Sequence, residues 1–377
     1  MSKSHSIEVP EPRANPHLIG HEAVEASFMH EFAQGRMHHA HLITGPKGIG
    51  KATLAFRLAR HILNSGAQSQ MVEEATSFSL FGDEPAAPKL AEKVSIAGDV
   101  DSPIFKRIAS GSHADLLTLS PAYDAKKQVE KNLITVEEAR QVPSFMSLTP
   151  AEGLWRVVII DAVDQLNTQA ANALLKILEE PPAKAILFLI CHRPGAVLPT
   201  IRSRCRQLKL QPPDAAAFST ILGQIAPSIE THEYAALYAL AQGSPGHAIT
   251  LYEEEGLKWY EGWLHAMMPD ASAETRQKFA DSVAQVKSPN TWAVIMHGWR
   301  LAMQRISLHP HGNHESPIFR REAEMLAAIA ERLTTETRAA WLEAGNTLIA
   351  QTETFHLDKR QSIRLLMSPT QLAMLAA

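Results

Sequence analysis

Cysteine is almost missing from this sequence. Cys191 and Cys205 are the only two among 377 residues, too few for a disulfide framework. Long apolar runs are missing too: none approaches the roughly 20 residues needed to cross a bilayer, and no membrane contact is expected. The opening residues, Met1 to His5, are polar with no apolar stretch behind them, so no secretory signal is expected and the protein is placed in the cytoplasm. Charge of one sign is not in excess either. The 40 acidic and 36 basic residues leave a net charge of -4, which offers no chain-wide footprint for nucleic acid and argues against a stand-alone DNA-binding protein. What remains is ordinary globular material, 45% hydrophobic and 20% charged, in a chain too long for one core. Three domains are expected.

Short apolar runs alternate with helical patterns between residues 41 and 210, the order of an α/β fold with a parallel five-stranded sheet between helices. The strands are expected at 41–44, 116–120, 156–160, 185–190 and 207–210. Leu54, Leu58 and Ile62 recur at helical spacing, as do Ala171, Leu174, Leu175 and Leu178. Thr135 with Glu138 three residues on predicts a capped helix start, kinked by Pro143. Residues 65–110, rich in Gly, Ser, Ala, Pro and acids, read as a long surface insertion. Pro212 and Pro213 mark a linker. Beyond it only helical patterns occur, including 292–305 and 322–333, so the expected domains are 1–211, 212–265 and 266–377.

Gly45-Pro46-Lys47-Gly48-Ile49-Gly50-Lys51 follows an apolar strand and opens a helix, the setting of a phosphate-binding loop. Glycines let backbone amides turn toward phosphates, the helix start adds partial positive charge, and Lys51 can reach the outer phosphates. The plainer alternative is a glycine turn with an incidental lysine. The next residue is Ala52, where the pattern asks for a hydroxyl to ligate magnesium, and Thr53 lies about 100° round the helix. Metal binding is therefore not expected. The expected cofactor-binding set is Gly45, Pro46, Lys47, Gly48, Ile49, Gly50, Lys51, Ala52, Thr53 and Asp161. Asp161 ends the apolar run 157–160, as does the acid beside a phosphate loop that orients magnesium. In hydrolysing proteins of this class a glutamate commonly follows, to activate water, but here the following residue is Ala162. Asp164, outside the strand, is a poor substitute base and is expected to cap or solvate the next turn.

Three further stretches, Ala171-Asn172-Ala173-Leu174-Leu175-Lys176-Ile177-Leu178-Glu179-Glu180-Pro181-Pro182, Ile201-Arg202-Ser203-Arg204-Cys205 and Gly243-Ser244-Pro245-Gly246, resemble the AAA+ subunits of bacterial DNA polymerase III clamp loaders. The eroded hydrolytic positions resemble the delta-prime type within that family. The resemblance is clear from residue 17 to about 260 and weaker beyond, where Leu357-Asp358-Lys359-Arg360-Gln361 looks like the final collar helix. It implies an AAA+ P-loop domain, then a small helical lid domain and an all-helical C-terminal collar. It also implies a non-hydrolysing stator in a five-subunit ring with motor subunits and delta, loading a sliding clamp on primed DNA as part of the polymerase III holoenzyme. No cofactor is required, although weak ATP or ADP binding is allowed. Arg204 matches the arginine finger that such a subunit supplies in trans to a neighbour's ATP; the bland alternative is a surface salt bridge. Arg202 would point elsewhere on a helix. Cys191 matches the first sensor position and Gly246 the second, where motor subunits carry an arginine. The family's zinc module has no counterpart, because 65–110 holds no cysteine, and no zinc is expected. The rival reading is an active ATPase motor subunit.

His309-Pro310-His311-Gly312-Asn313-His314 is expected to be a solvated loop rather than a metal site. Cys205 is expected to be a small buried apolar residue. His38 and His39 either approach adenine, by analogy, or simply pack.

Overall fold

The computed structural model of the chain describes residues 7–77, 100–121, 123–124, 129–130, 133–152, 154–309, 316–369 and 372. Most of the histidine loop, 310–314, and residues 78–99 of the expected insertion lie outside them. Two compact units divide the chain: Val9–Asp214, and Ala215–Ala377 together with the segment before Val9.

In the first unit α1 (Glu22–Ala33) precedes β1 (Ala40–Thr44), α2 (Lys51–Ser77), α3 (Pro103–Ala109) and β2 (Leu116–Leu119). A short antiparallel pair, β3 (Tyr123–Asp124) with β4 (Val129–Glu130), precedes α4 (Val136–Ala139) and α5 (Gln141–Met146). Then come β5 (Arg156–Asp161), α6 (Thr168–Glu179), β6 (Ala185–Cys191), α7 (Pro199–Arg202) and β7 (Arg206–Lys209). The five longer strands form one parallel sheet in the order β2-β5-β6-β1-β7. All five expected strands are present, each within a residue of its expected bounds.

Alternation along these strands explains the layering. Ile43, Val157, Ile159, Ile186, Phe188 and Ile190 join a core with Leu54, Leu58 and Ile62 of α2. Their neighbours Leu42, Val158, Ile160, Leu187 and Leu189 join another with Leu174 and Leu178 of α6. Both faces are covered, so the central strands read as continuous apolar runs. The expected insertion begins as helix, since α2 continues to Ser77, and α3 lies near its far end. Thr135 and Glu138 form the expected capping box. The helix breaks at Arg140, however, not at Pro143. Pro143 then falls in the first turn of α5, where its missing N–H costs nothing.

The second unit is helical: α8 (Ala215–Ile225), α9 (Tyr234–Leu240), α10 (Pro245–Glu253), α11 (Gly256–Met267), α12 (Ala273–Ala284), α13 (Pro289–Leu308), α14 (Glu322–Ala330), α15 (Thr335–Phe355) and α16 (Lys359–Leu366). One apolar core runs from Phe218 to Leu372 around the buried Tyr260, Trp263 and Trp299. Buried indoles need an acceptor. Trp263 donates to the Ile295 carbonyl at 2.8 Å, and Trp299 and Trp341 both donate to that of Leu366. Asp358 caps α16, the expected final helix. No helix among the described residues is long and apolar enough to cross a membrane.

Candidate functional site

The carboxyl ends of β1, β5 and β6 converge on the phosphate loop, the edge where ligands of open parallel sheets bind. Thr44 pairs with Cys191, and Asp161 with Ile190. The loop needs its glycines. Gly45, Gly48 and Gly50 all have positive φ, and a Cβ on Gly45 would lie 2.7 Å from the Leu210 carbonyl oxygen. α2 begins at Lys51 and directs its first amides toward the loop. The Lys51 side chain is buried and curls back, donating to the Gly45 carbonyl at 2.7 Å and to that of Pro46. Burial pulls its pKa down to about 8, opposed by the carboxylate of Asp161. The loop carbonyls thus hold the ammonium where a phosphate oxygen could replace them.

The acidic strand end behaves as expected at Asp161 and otherwise at Asp164. Asp161 is the last residue of β5, with a partly exposed carboxylate 3.9 Å from His192 Nε2. Asp164 does not solvate or cap the next turn. Its side chain is 2% exposed and accepts from the His192 backbone N–H at 2.9 Å and from Arg193 Nε at 3.2 Å. Burial alone would raise this carboxyl, but those two donors together with the charge of His192 and a further backbone N–H hold it below the usual range. It ties the turn after β5 to the end of β6 and is spent as a base. Cys191 is buried, and desolvation with the field of Asp164 pushes its thiol up to about 11.

Magnesium fits this corner poorly. It demands near-octahedral oxygen ligands at about 2.0–2.1 Å, yet position 52 offers a methyl group, Thr53 is buried, and Asp164 is engaged. Among the described residues no group of three or more His, Cys, Asp or Glu is placed to hold a metal ion. The glycine loop and Lys51 are the groups of this corner that could hold a phosphate chain.

Two features escaped the sequence reading. A strap before α1 lies along α2: Arg57, which pairs with Glu25 of α1, donates to Pro16 O, and Arg60 donates to Arg13 O and Asn15 O. His21 Nε2 lies 2.6 Å from Ile49 O, and Leu18 sits beside Gly50. Arg57 and Arg60, set among the apolar residues that open α2, were the available signal. The second is His192, which burial and then Lys51 bring down to about 4, and whose Nδ1 is buried without a partner. His38 and His39 stack on each other and bond to the carbonyls of Ala40 and Leu178.

Arg204 stands just beyond α7, not on it, as does Cys205, which is half-buried against the core with its thiol pushed up to about 12 by burial. Arg204 Nη2 lies 2.7 Å from Glu179 Oε1, and Nη1 donates to Thr200 O at 3.0 Å. Glu179 ends α6, so two of the motifs noted in the sequence meet in this ion pair. Gly246 belongs to the helical unit, in the first turn of α10 behind the cap Ser244.

A family profile described as "DNA polymerase III, delta subunit" matches residues 86–214. The DNA polymerase III subunit delta' of Pseudomonas aeruginosa is 34% identical over 214 residues, 56% of this chain and 55% of that protein. That of Escherichia coli is 31% identical over 236 residues, 63% of this chain and 61% of that protein. Subunit tau of Escherichia coli is 29% identical over 236 residues, 62% of this chain and 31% of that protein. The matched region thus spans less than two thirds of each relative's own length.

Proposed function

We propose, from its similarity to the delta' subunits of bacterial DNA polymerase III, that the chain is an AAA+ clamp-loader subunit of the delta-prime type that does not hydrolyse nucleotide itself. It works in the cytoplasm, in a five-subunit ring with motor subunits and delta, and helps place a sliding clamp on primed DNA. Its phosphate loop holds ATP or ADP weakly without cutting it, and Arg204 reaches a neighbour's nucleotide to stabilise charge developing on the phosphoryl group.

The observation that carries this reading is a pair of methyl groups. Ala52 stands where a hydroxyl would ligate metal and Ala162 where a carboxylate would take a proton from water, while the nearby carboxylate of Asp164 is buried and engaged. A site with an anchored phosphate and no base binds without turning over. The rival reading is an active ATPase motor subunit of the same loader. The two separate cleanly in an ATPase assay on the purified chain mixed with primed DNA. We expect no turnover above background; turnover abolished by Lys51→Ala would sink the proposal.

A further inference from the structure

We infer that the phosphate loop takes a nucleoside di- or triphosphate without a divalent cation, with Lys47, Lys51 and the amino end of α2 supplying the counter-charge; this rests on the non-hydrolysing reading above. A phosphate loop ordinarily shares the charge of its ligand between a lysine and a magnesium ion, the ion being held by a loop hydroxyl and a strand-end carboxylate. The magnesium half of that arrangement does not fit here. The hydroxyl is replaced by Ala52, and the remaining strand-end carboxylate, Asp161, faces the His192 imidazole at 3.9 Å. Asp164 is closed off under the backbone of His192 and the guanidinium of Arg193.

The cationic half is intact and enlarged. Lys47 is exposed on the loop itself, Lys51 is the first residue of α2, and the fields of Lys47, Lys51 and Arg193 all reach His192. Asp164 is paired with Arg193, and Asp161 lies within the field of Lys51, so the two lysines of the loop set the positive field of this corner. An added divalent cation would meet that positive field with one carboxylate and no hydroxyl to hold it. A polyphosphate brings its own negative charge to the same field and to the amides of the loop. Metal-free binding also agrees with the missing chemistry, because in phosphoryl transfer the ion bridges the β- and γ-oxygens and neutralises the charge that develops.

The test is isothermal titration of the full chain with ATP and with ADP, once in magnesium chloride and once in EDTA. We expect dissociation constants that agree within about threefold between the two buffers. Ala52→Ser, which restores the hydroxyl, is expected to make affinity respond to magnesium. Lys51→Ala is expected to weaken binding by about tenfold or more in both buffers. Since Lys51 is buried, Lys47→Glu on the exposed loop serves as the second variant, with a loss of severalfold in both. Magnesium tightening the wild-type chain tenfold or more, or Lys47→Glu binding as well as wild type, would overturn the assignment. Binding in neither buffer would overturn it too, yet leave the non-hydrolysing reading standing, whereas ATP turnover in the magnesium arm would sink that reading instead.

Discussion

Lys51 and Arg204 are both cations of the α/β unit set beside short loops, and they are held in opposite ways. Lys51 is buried, bonded to backbone carbonyls of its own loop, and desolvated enough to lose part of its basicity. Arg204 is about one-third exposed, pairs with a carboxylate that is half exposed, and leans on a single carbonyl. A group fixed by backbone is suited to one ligand in one place. A guanidinium held by a surface ion pair worth at most about 1 kcal/mol can be given up to a stronger anion at little cost. On the proposed reading the first cation keeps a nucleotide in the chain, and the second serves a nucleotide that belongs to another.

The sharpest way to break this contrast is Arg204→Ala in the reconstituted complex. An arginine supplied in trans is worth about 10³-fold or more in hydrolysis, so the neighbour's turnover should fall by that order while the isolated chain melts as wild type. Unchanged turnover in an intact complex would leave Arg204 a surface residue. Next in size is a pH effect on the buried side of the comparison. His41 of β1 is fully buried between Phe28 and Phe188, and neither ring nitrogen makes a well-formed hydrogen bond. Burial brings its pKa down from 6.5 to about 4. The unfolded chain therefore takes up this proton first, so stability is full above pH 6.5 and falls as pH drops from there toward 4. The gap is worth on the order of 3 kcal/mol. Urea midpoints measured from pH 7 to 4 should show the loss, and His41→Phe should flatten it; an equally steep loss in that variant would clear His41 of the effect.

Gly45→Ala comes third. The position has φ of 149°, and the new methyl would meet Leu210 O at 2.7 Å and Ile49 Cδ1 at 2.8 Å. Backbone on one side cannot yield easily, so a loss of about 2 kcal/mol is expected in chemical denaturation. A neutral result would mean that the loop is less tightly bound to β7 than its geometry indicates.

The parts of these two regions differ in how far the sequence revealed them. The strands were legible because a parallel sheet buried on both faces writes each central strand as an unbroken apolar run, and the turns after 44 and 161 carry glycine or acid. The capping box at Thr135 is local chemistry and was equally readable, whereas the break before Pro143 was misplaced because proline is tolerated in a first turn. Asp164 was misread for a different reason. Its partner, the N–H of His192, is 28 residues away, and no periodicity reports a contact of that kind. The same holds for His192 beside Asp161, for the strap held by Arg57 and Arg60, and for Glu179 against Arg204. The insertion hid the continuation of α2 because residues past Ser65 lose the apolar stripe on which a helix is recognised.

The smallest expected effect concerns that last pair and decides what the ion pair is for. Glu179→Ala removes the carboxylate 2.7 Å from Arg204 Nη2 and leaves the bond to Thr200 O. Because the pair is exposed, stability should change by less than about 1 kcal/mol. If Glu179 orients the guanidinium for its neighbour, turnover in the complex should fall about tenfold, far less than for Arg204→Ala, since the charge remains and only its aim is lost. Glu179→Gln, which keeps an acceptor oxygen, should recover part of that loss. A rise in turnover for Glu179→Ala would reverse the assignment: the carboxylate would then be restraining Arg204 rather than aiming it, and the ease with which a surface pair can be broken would itself be the control.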